Sequence, residues 1–349
     1  MKETIYTDTN WRQPFRVSRL PLLATIYAAS HRKLNSRLAT AVWRRGIHAG
    51  FRLLRRAPLG RTGYFEVEID CDTKRIQFDA RNTQFCSIYL PEYVHFGYEP
   101  ETTALIDKLL SPEDTFYDVG SNWGHISLHV ASRPFRGQIH TFEPMPCTFQ
   151  DLCSVVRQAG LQGRITCHNL ALSNDDATKH MRSPDAITSG NAEVSSDHKG
   201  VPVQSVRLDD LNLPYPSVMK VDVEGHEREV FAGAKATLAE AKPFIVFENW
   251  RGHSKLTTLE PLIALRDAGY HFYQPVSFSA REQHFQIDRN STDWSQNEKD
   301  ALGLVEFELD QRMLLGEHIN ILACHDEKRD RIQALFPHQL NAPIRHKCA

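Results

Sequence analysis

The chain predicts an α/β protein built on a doubly wound, mostly parallel sheet, with a basic helical segment and a β-hairpin ahead of it. Three observations carry that expectation. From Glu101 onward, short apolar runs alternate with amphipathic stretches of helical spacing, and alternating β and α units imply a parallel sheet with helices on both faces. Asp114 to Ser127, D-T-F-Y-D-V-G-S-N-W-G-H-I-S, reads as strand, glycine turn and helix start. Acidic residues then recur where successive strands end.

Composition sets the bounds. The 349 residues are 41% hydrophobic and 24% charged, in the range of soluble globular proteins and enough for one large or two modest domains. Seven cysteines are scattered and no C-x-x-C pair occurs, which excludes a disulfide framework or zinc knuckle and fits a reducing compartment. The net charge of −2 hides an asymmetry: residues 1–60 hold 12 Lys/Arg against 2 acids. The expected organisation is a basic helical segment over 1–60, a hairpin prefix or lid over 61–96, the ligand-binding domain over 97–275, and an excursion with a last strand and terminal helix over 276–349.

Taken in order, Leu20 to Ala29 is an apolar run too short to cross a bilayer, which takes roughly 20 residues. Ala28-Ala29-Ser30 resembles a signal-peptide end, but the expectation is a cytoplasmic chain. Asn35 to Arg56 has helical spacing with interspersed arginines. It either rests on an anionic membrane surface, at the inner face of the membrane, or packs on the main domain with a solvated arginine face. Residues 64–69 and 75–78 alternate apolar and polar and read as a hairpin. Glu101 to Leu110 reads as a helix, Thr115 to Val119 as the opening strand, and Gly137 to Phe142 as the second. A helix opened by Pro146 stops at Gly160. Ile165 to Leu172 is the third strand, residues 173–200 a polar excursion with a mobile loop, and Val201 to Val206 an edge strand. Ser217 to Val223 is the fourth strand, followed by one helix through Leu238. Phe244 to Phe247 is the fifth, Leu256 to Ala268 a helix, and Tyr270 to Tyr273 another strand. Residues 280–316 read as irregular, His318 to Cys324 as a final strand, and Asp326 to Phe336 as the terminal helix.

The strand tips carry Asp118, Glu143, Asn169, Asp222 with Glu224, and Glu248 with Asn249. Like charges at one rim cost stability unless a cation or hydrogen-bond donors meet them. The glycines of Asp118-x-Gly120-x-x-x-Gly124 let the backbone approach a ligand closely. A pyrophosphate would want G-x-G-x-x-G, which is absent, and this argues against a nicotinamide oxidoreductase. An acidic strand end suits a cationic ligand, and S-adenosylmethionine is one. Glu143 follows Asp118 at about the spacing that places an acid on the ribose hydroxyls of an adenosine.

The blocks D-V-G-S-N-W-G-H-I-S, T-F-E-P, N-L-A-L-S, S-V-R-L-D-D-L, M-K-V-D-V-E-G-H-E and P-F-I-V-F-E resemble the FkbM-type family of S-adenosylmethionine-dependent methyltransferases over roughly residues 97–275. The resemblance implies that Asp118, Gly120, Asn122 and Gly124 line the methionine end of the cofactor, that Glu143 holds the ribose, and that Asn169 and Leu172 lie near the adenine. It implies transfer to oxygen, on a sugar, a glycan, a lipid-linked acceptor or a polyketide hydroxyl. Ser121, Trp123 and His125 depart from the family's usual residues.

A hydroxyl acceptor calls for a base. Asp222, Glu224, His226 and Glu248 are the candidates, with Asp222 or Glu224 favoured and one of these two open to binding the cofactor's amino group instead. No metal is expected, since the paired Asp-Asn block of metal-dependent enzymes is absent. The rival readings are a non-catalytic scaffold or glycan-binding module, which the acidic strand tips argue against, and a nucleic-acid methyltransferase. The latter is suggested by the basic N-terminus, but the aromatic motif expected after the fourth strand is replaced by D-V-E-G.

Overall fold

The computed structural model describes residues 4–9, 12–30, 43, 45–47, 50, 60–89, 97–182, 193–194, 200–251, 255–279, 284–286 and 300–340. The chain opens with strands β1 (Thr4–Asp8) and β2 (Phe15–Arg19), helix α1 (Leu22–Ser30), and the hairpin β3 (Thr62–Ile69) and β4 (Asp72–Asp79). Then come α2 (Pro100–Leu109), β5 (Thr115–Val119), α3 (His125–Ala131), β6 (Gln138–Phe142), α4 (Pro146–Ala159) and β7 (Ile165–His168). A side sheet follows: β8 (Ala171–Leu172), β9 (Ala177–Arg182), β10 (Glu193–Val194) and β11 (Val201–Val206). The main sheet resumes with β12 (Val218–Val221), helices α5 (Glu227–Ala232) and α6 (Lys235–Glu240), β13 (Phe244–Trp250), α7 (Lys255–Asp267), β14 (Tyr270–Ser279) and β15 (His284–Gln286). It closes with β16 (Asp300–Phe307), β17 (His318–His325), α8 (Arg329–Leu335) and β18 (His338–Leu340).

The core of the sheet has the order β7-β6-β5-β12-β13-β17-β14. The pairs from β7 to β13 are parallel, and β17 runs antiparallel to both neighbours, so six of these seven strands share one direction. Alternate residues face opposite sides. Phe116, Ile139, Val218 and Val246 pack under α2, α3 and α4, whereas Tyr117, Met219, Ile245 and Phe247 pack under α5, α6 and α7. Burial on both faces explains the nearly continuous apolar reading of these strands. From β5 the chain runs to β6 and β7 on one side and later to β12 on the other. The strand order therefore reverses between β5 and β12, where a cleft opens at the carboxyl ends.

Several expectations need correction. Residues 1–60 are not helical from their start. β1 joins the main sheet antiparallel to β16, and β2 pairs with β3 of the hairpin. Charge asymmetry dominated the reading of this segment and masked the short alternation Thr-Ile-Tyr-Thr-Asp. Residues 35–56 lie mostly outside the described residues. No helix among the described residues is long and apolar enough to cross a membrane. The stretch 280–316 is not irregular throughout, because β16 lies between β14 and β1. The third strand is split: β7 belongs to the main sheet and β8 to the side sheet, where β11 pairs with both β8 and β9. The helix after the fourth strand is two, broken at Gly233. A Cβ there would stand 1.8 Å from the Ser173 carbonyl oxygen, so the backbone contact that docks the side sheet admits only glycine.

Candidate functional site

A cavity of about 320 Å³ opens at the switch point. Its floor is the turn from β5 into α3. At Gly120 (φ 78°) a Cβ would stand 1.8 Å from the Asp222 carbonyl oxygen, so the turns after β5 and β12 can close together only over a glycine. Asn122 (φ 51°) and Gly124 (φ 90°) also adopt left-handed backbone, which carries the chain sharply into α3.

One end of the cavity is apolar. Phe142, Pro144, Met145, Ala171, Leu172 and Met181 line it. Glu143 stands at its edge, 5% exposed. Its Oε2 accepts from the Asn122 amide at 3.0 Å and its Oε1 from the Met145 amide at 2.8 Å. Burial raises its pKa to about 7, against the pull of those two amides. Asn169 does not line the cavity; its Nδ2 donates to the carbonyls of Glu143 and Pro144 at 2.8 and 3.0 Å. It therefore fixes the loop that carries Glu143.

The centre holds polar atoms without partners. Asp118 is fully buried and lies beneath the floor rather than on it. Its Oδ2 accepts from the Ser127 amide at 3.1 Å and the Ser127 hydroxyl at 2.6 Å. Burial raises its pKa despite Lys220 nearby. Asp118 Oδ1, Ser121 Oγ and His125 Nδ1 are buried with no hydrogen-bond partner among the described residues. Burial lowers the His125 pKa to about 3, so its imidazole is neutral. Leaving such atoms unmet costs ~1–3 kcal/mol each, and ligand groups would recover that cost. Asp118 and Gly124, expected at the methionine end of the cofactor, shape the cavity floor from beneath. Gly120, Asn122, Glu143 and Leu172 do line it.

The other end is acidic. Glu99, Asp222, Glu224 and Glu248 line it together with Lys220, Trp250 and His318. Lys220 is buried and donates to Asp222 Oδ2 at 2.8 Å. Burial alone would lower its pKa, but Asp222, Glu99 and Asp118 outweigh burial and raise it. Glu224, in the left-handed region at φ 52°, has its pKa raised to about 8 by burial and then by Asp222 and Glu248. No hydrogen bond from the described residues reaches its carboxylate. Glu248 is raised to about 7 by burial, then by Asp222 and Glu99, and stands 3.3 Å from His318 Nδ1. The three acidic candidates are thus brought together. His226, the fourth candidate, lies against Ser173 Oγ at 3.0 Å and also touches the cavity.

Sequence reasoning missed Glu99, Trp250, His318 and Arg312. Arg312 is fully buried and donates to the Asn249 carbonyl at 2.7 Å, the Gly316 carbonyl at 2.9 Å and the Asn249 side chain. It ties the end of β13 to the turn before β17 and so holds Glu248 and Trp250 in place. Burial lowers its pKa to about 10. A lone arginine in a polar stretch gives no signal of such a role.

The arrangement fits S-adenosylmethionine by its chemistry. It offers an apolar slot for a base, a buried carboxylate beside it, unmet polar atoms in the middle and a surplus of negative charge for a sulfonium. The profile described as "Methyltransferase FkbM domain" matches residues 118–272. "Hexuronic acid methyltransferase AglP" of Haloferax volcanii is 28% identical over 154 residues, which are 43% of this chain and 62% of that protein. Among solved structures, the methyltransferase FkbM from Methylobacillus flagellatus KT is 20% identical with a TM-score of 0.38, covering 65% of this chain and 56% of that one. The precorrin-6y C5,15-methyltransferase from Geobacter metallireducens GS-15 is 14% identical with a TM-score of 0.34, covering 61% and 89%. Residues 118–272 of this chain are thus similar to a methyltransferase FkbM domain, and the cavity they help to form has the chemistry to take S-adenosylmethionine as methyl donor.

Proposed function

We propose that the chain methylates a hydroxyl oxygen on a sugar, free or within a glycan or lipid-linked carrier. The observation that carries this reading is the acidic end of the cavity, where Glu224, beside Asp222 and Glu248, presents a carboxyl group that no hydrogen bond from the described residues reaches. The match to a hexuronic acid methyltransferase supports a sugar.

When bound, S-adenosylmethionine supplies an electrophilic methyl carbon on a positively charged sulfur. The chain's own residues do the rest. Glu143 and the amides it organises hold the ribose, and Leu172 with Met145 and Met181 encloses the base. Ser121 and His125, with Asp118 below them, meet the amino-acid end. Glu224 takes the proton from the acceptor hydroxyl. A base with a pKa near the working pH is the most effective kind, and a raised value of about 8 meets that condition. Asp222 is the weaker candidate for the base, because Lys220 already holds it. Its role is to keep negative charge near the methyl position and to raise the proton affinity of Glu224.

The experiment is incubation of the whole protein with donor labelled in the methyl group and a panel of methyl glycosides. Label should enter the sugar in a form stable to mild alkali, as an ether is. Label entering no glycoside, or entering nucleic acid instead, would overturn the reading.

A further inference from the structure

The acidic end of the cavity carries a feature that proton removal does not require. Trp250 ends β13 and lines the cavity, yet is 48% exposed. A large aromatic face left half open at a cavity mouth costs apolar hydration unless something covers it. Glu248, two residues earlier, projects to the same side of the strand. Across the sheet, His318 is the register partner of Trp250, packs against its ring and reaches Glu248 at 3.3 Å. The mouth therefore presents a flat apolar face edged by a carboxylate and an imidazole. A pyranose has matching chemistry, with an apolar C–H face and a rim of hydroxyls.

Charge narrows the class further. Among the described residues, Lys220 is the one lysine or arginine lining the cavity, and Asp222 already neutralises it. Glu99, Glu224 and Glu248 surround the remaining space. Among the described residues, a carboxylate on the acceptor would find no unpaired lysine or arginine at the cavity and three further acids beside it, an arrangement that works against its binding.

We propose that the acceptor is a sugar without a carboxylate, a neutral or amino-bearing pyranose, seated on Trp250 with its hydroxyls held by the Glu248–His318 pair. The proposal rests on the sugar-hydroxyl reading above and separates this chain from its hexuronic acid-acting relative. The hydroxyl proton passes to Glu224, the new bond is O–CH3, and the donor's S–CH3 bond breaks to leave a neutral thioether.

The test measures kcat/KM for methyl glycosides of a neutral hexose, an amino hexose and a hexuronic acid with the full-length protein, and donor binding by calorimetry. The neutral or amino sugar should be preferred over the uronide by at least ~100-fold, the equivalent of roughly 2.7 kcal/mol. Trp250→Ala should raise the acceptor KM at least tenfold while leaving donor affinity unchanged, and Trp250→Phe should retain most of the wild-type KM. A preference for the uronide, or a Trp250→Ala variant with unaltered acceptor KM, would overturn the proposal while leaving sugar methylation standing. If no glycoside is methylated by protein that still binds donor, the sugar reading itself fails and this proposal falls with it.

Discussion

The two ends of the cavity are built on opposite principles. At the β6–β8 end the walls are apolar side chains and backbone, and the one carboxylate, Glu143, has both oxygens taken by amides. At the β12–β13 end, among the described residues, four acids crowd around one ion-paired lysine, and no hydrogen-bond donor reaches Glu224. The first end is satisfied before anything binds and suits the seating of an invariant donor. The second keeps charges that oppose folding, and such local conflicts are tolerated where chemistry needs them. The contrast teaches that preorganisation and reactivity are divided along the sheet, with the close approach at Gly120 as the boundary.

The sharpest way to break this comparison is Glu224→Gln. It removes a proton acceptor but keeps shape, so kcat should fall by ~10²–10⁴-fold. Donor affinity, measured by calorimetry, should stay unchanged. The wild-type rate should rise with pH as Glu224 ionises near its raised value of about 8. An unaltered kcat moves the base to Glu248 or Asp222, and Glu248→Gln then becomes the deciding variant.

The mirror experiment is Glu143→Ala. It strands the amides of Asn122 and Met145 and deletes the group assigned to the ribose. Donor affinity should drop by ~100-fold, about 3 kcal/mol, with the acceptor KM little changed. Full affinity in this variant would end the ribose assignment.

A third test uses stability. Glu224, Glu227 and Glu248 have folded pKa values raised to about 8, 7 and 7 from an ordinary 4.5. Each therefore binds its proton more tightly when folded. The stability this supplies is full below about 4.5 and is lost as pH rises through 7 to 8. The thermal midpoint of ligand-free protein should fall by a few degrees between pH 5 and pH 8, and Glu224→Gln should flatten that fall. An unchanged slope would mean that Glu224 is not burdened by its neighbours.

How much of this was legible in the sequence follows the same division. The strands β5, β6, β12 and β13, the helices α3 and α4, and the acids Glu143, Asp222, Glu224 and Glu248 near the strand tips were readable, because local periodicity and glycine punctuation encode them. What was not readable depends on distant pairing. β1 and β16 are neighbours some 300 residues apart in the chain and neither announces the other. Glu99, Trp250 and His318 meet only because α2, β13 and β17 converge at one rim. Asp118 was read as a rim acid from its place in the motif, but its position under the floor depends on Ser127 reaching back from α3. Arg312 gave no sequence signal, because its partners, mostly backbone carbonyls with the Asn249 side chain, lie on other segments of the chain.

The smallest expected effect tests whether the donor end is as passive as it looks. The family resemblance placed Asn169 beside the adenine, yet it lies outside the cavity lining and, among the described residues, bonds the carbonyls of Glu143 and Pro144. If it acts through that loop, Asn169→Ala should weaken donor binding by only ~5-fold, about 1 kcal/mol, the usual worth of such a hydrogen bond. Asn169→Asp keeps the size and removes both donors, so it should match or exceed that loss, and kcat at saturating donor should hold in both variants. A hundredfold loss of donor affinity in Asn169→Ala would instead mean direct contact. The loop would then have to turn Asn169 inward on binding, and the donor end would be assembled by its ligand rather than built in advance.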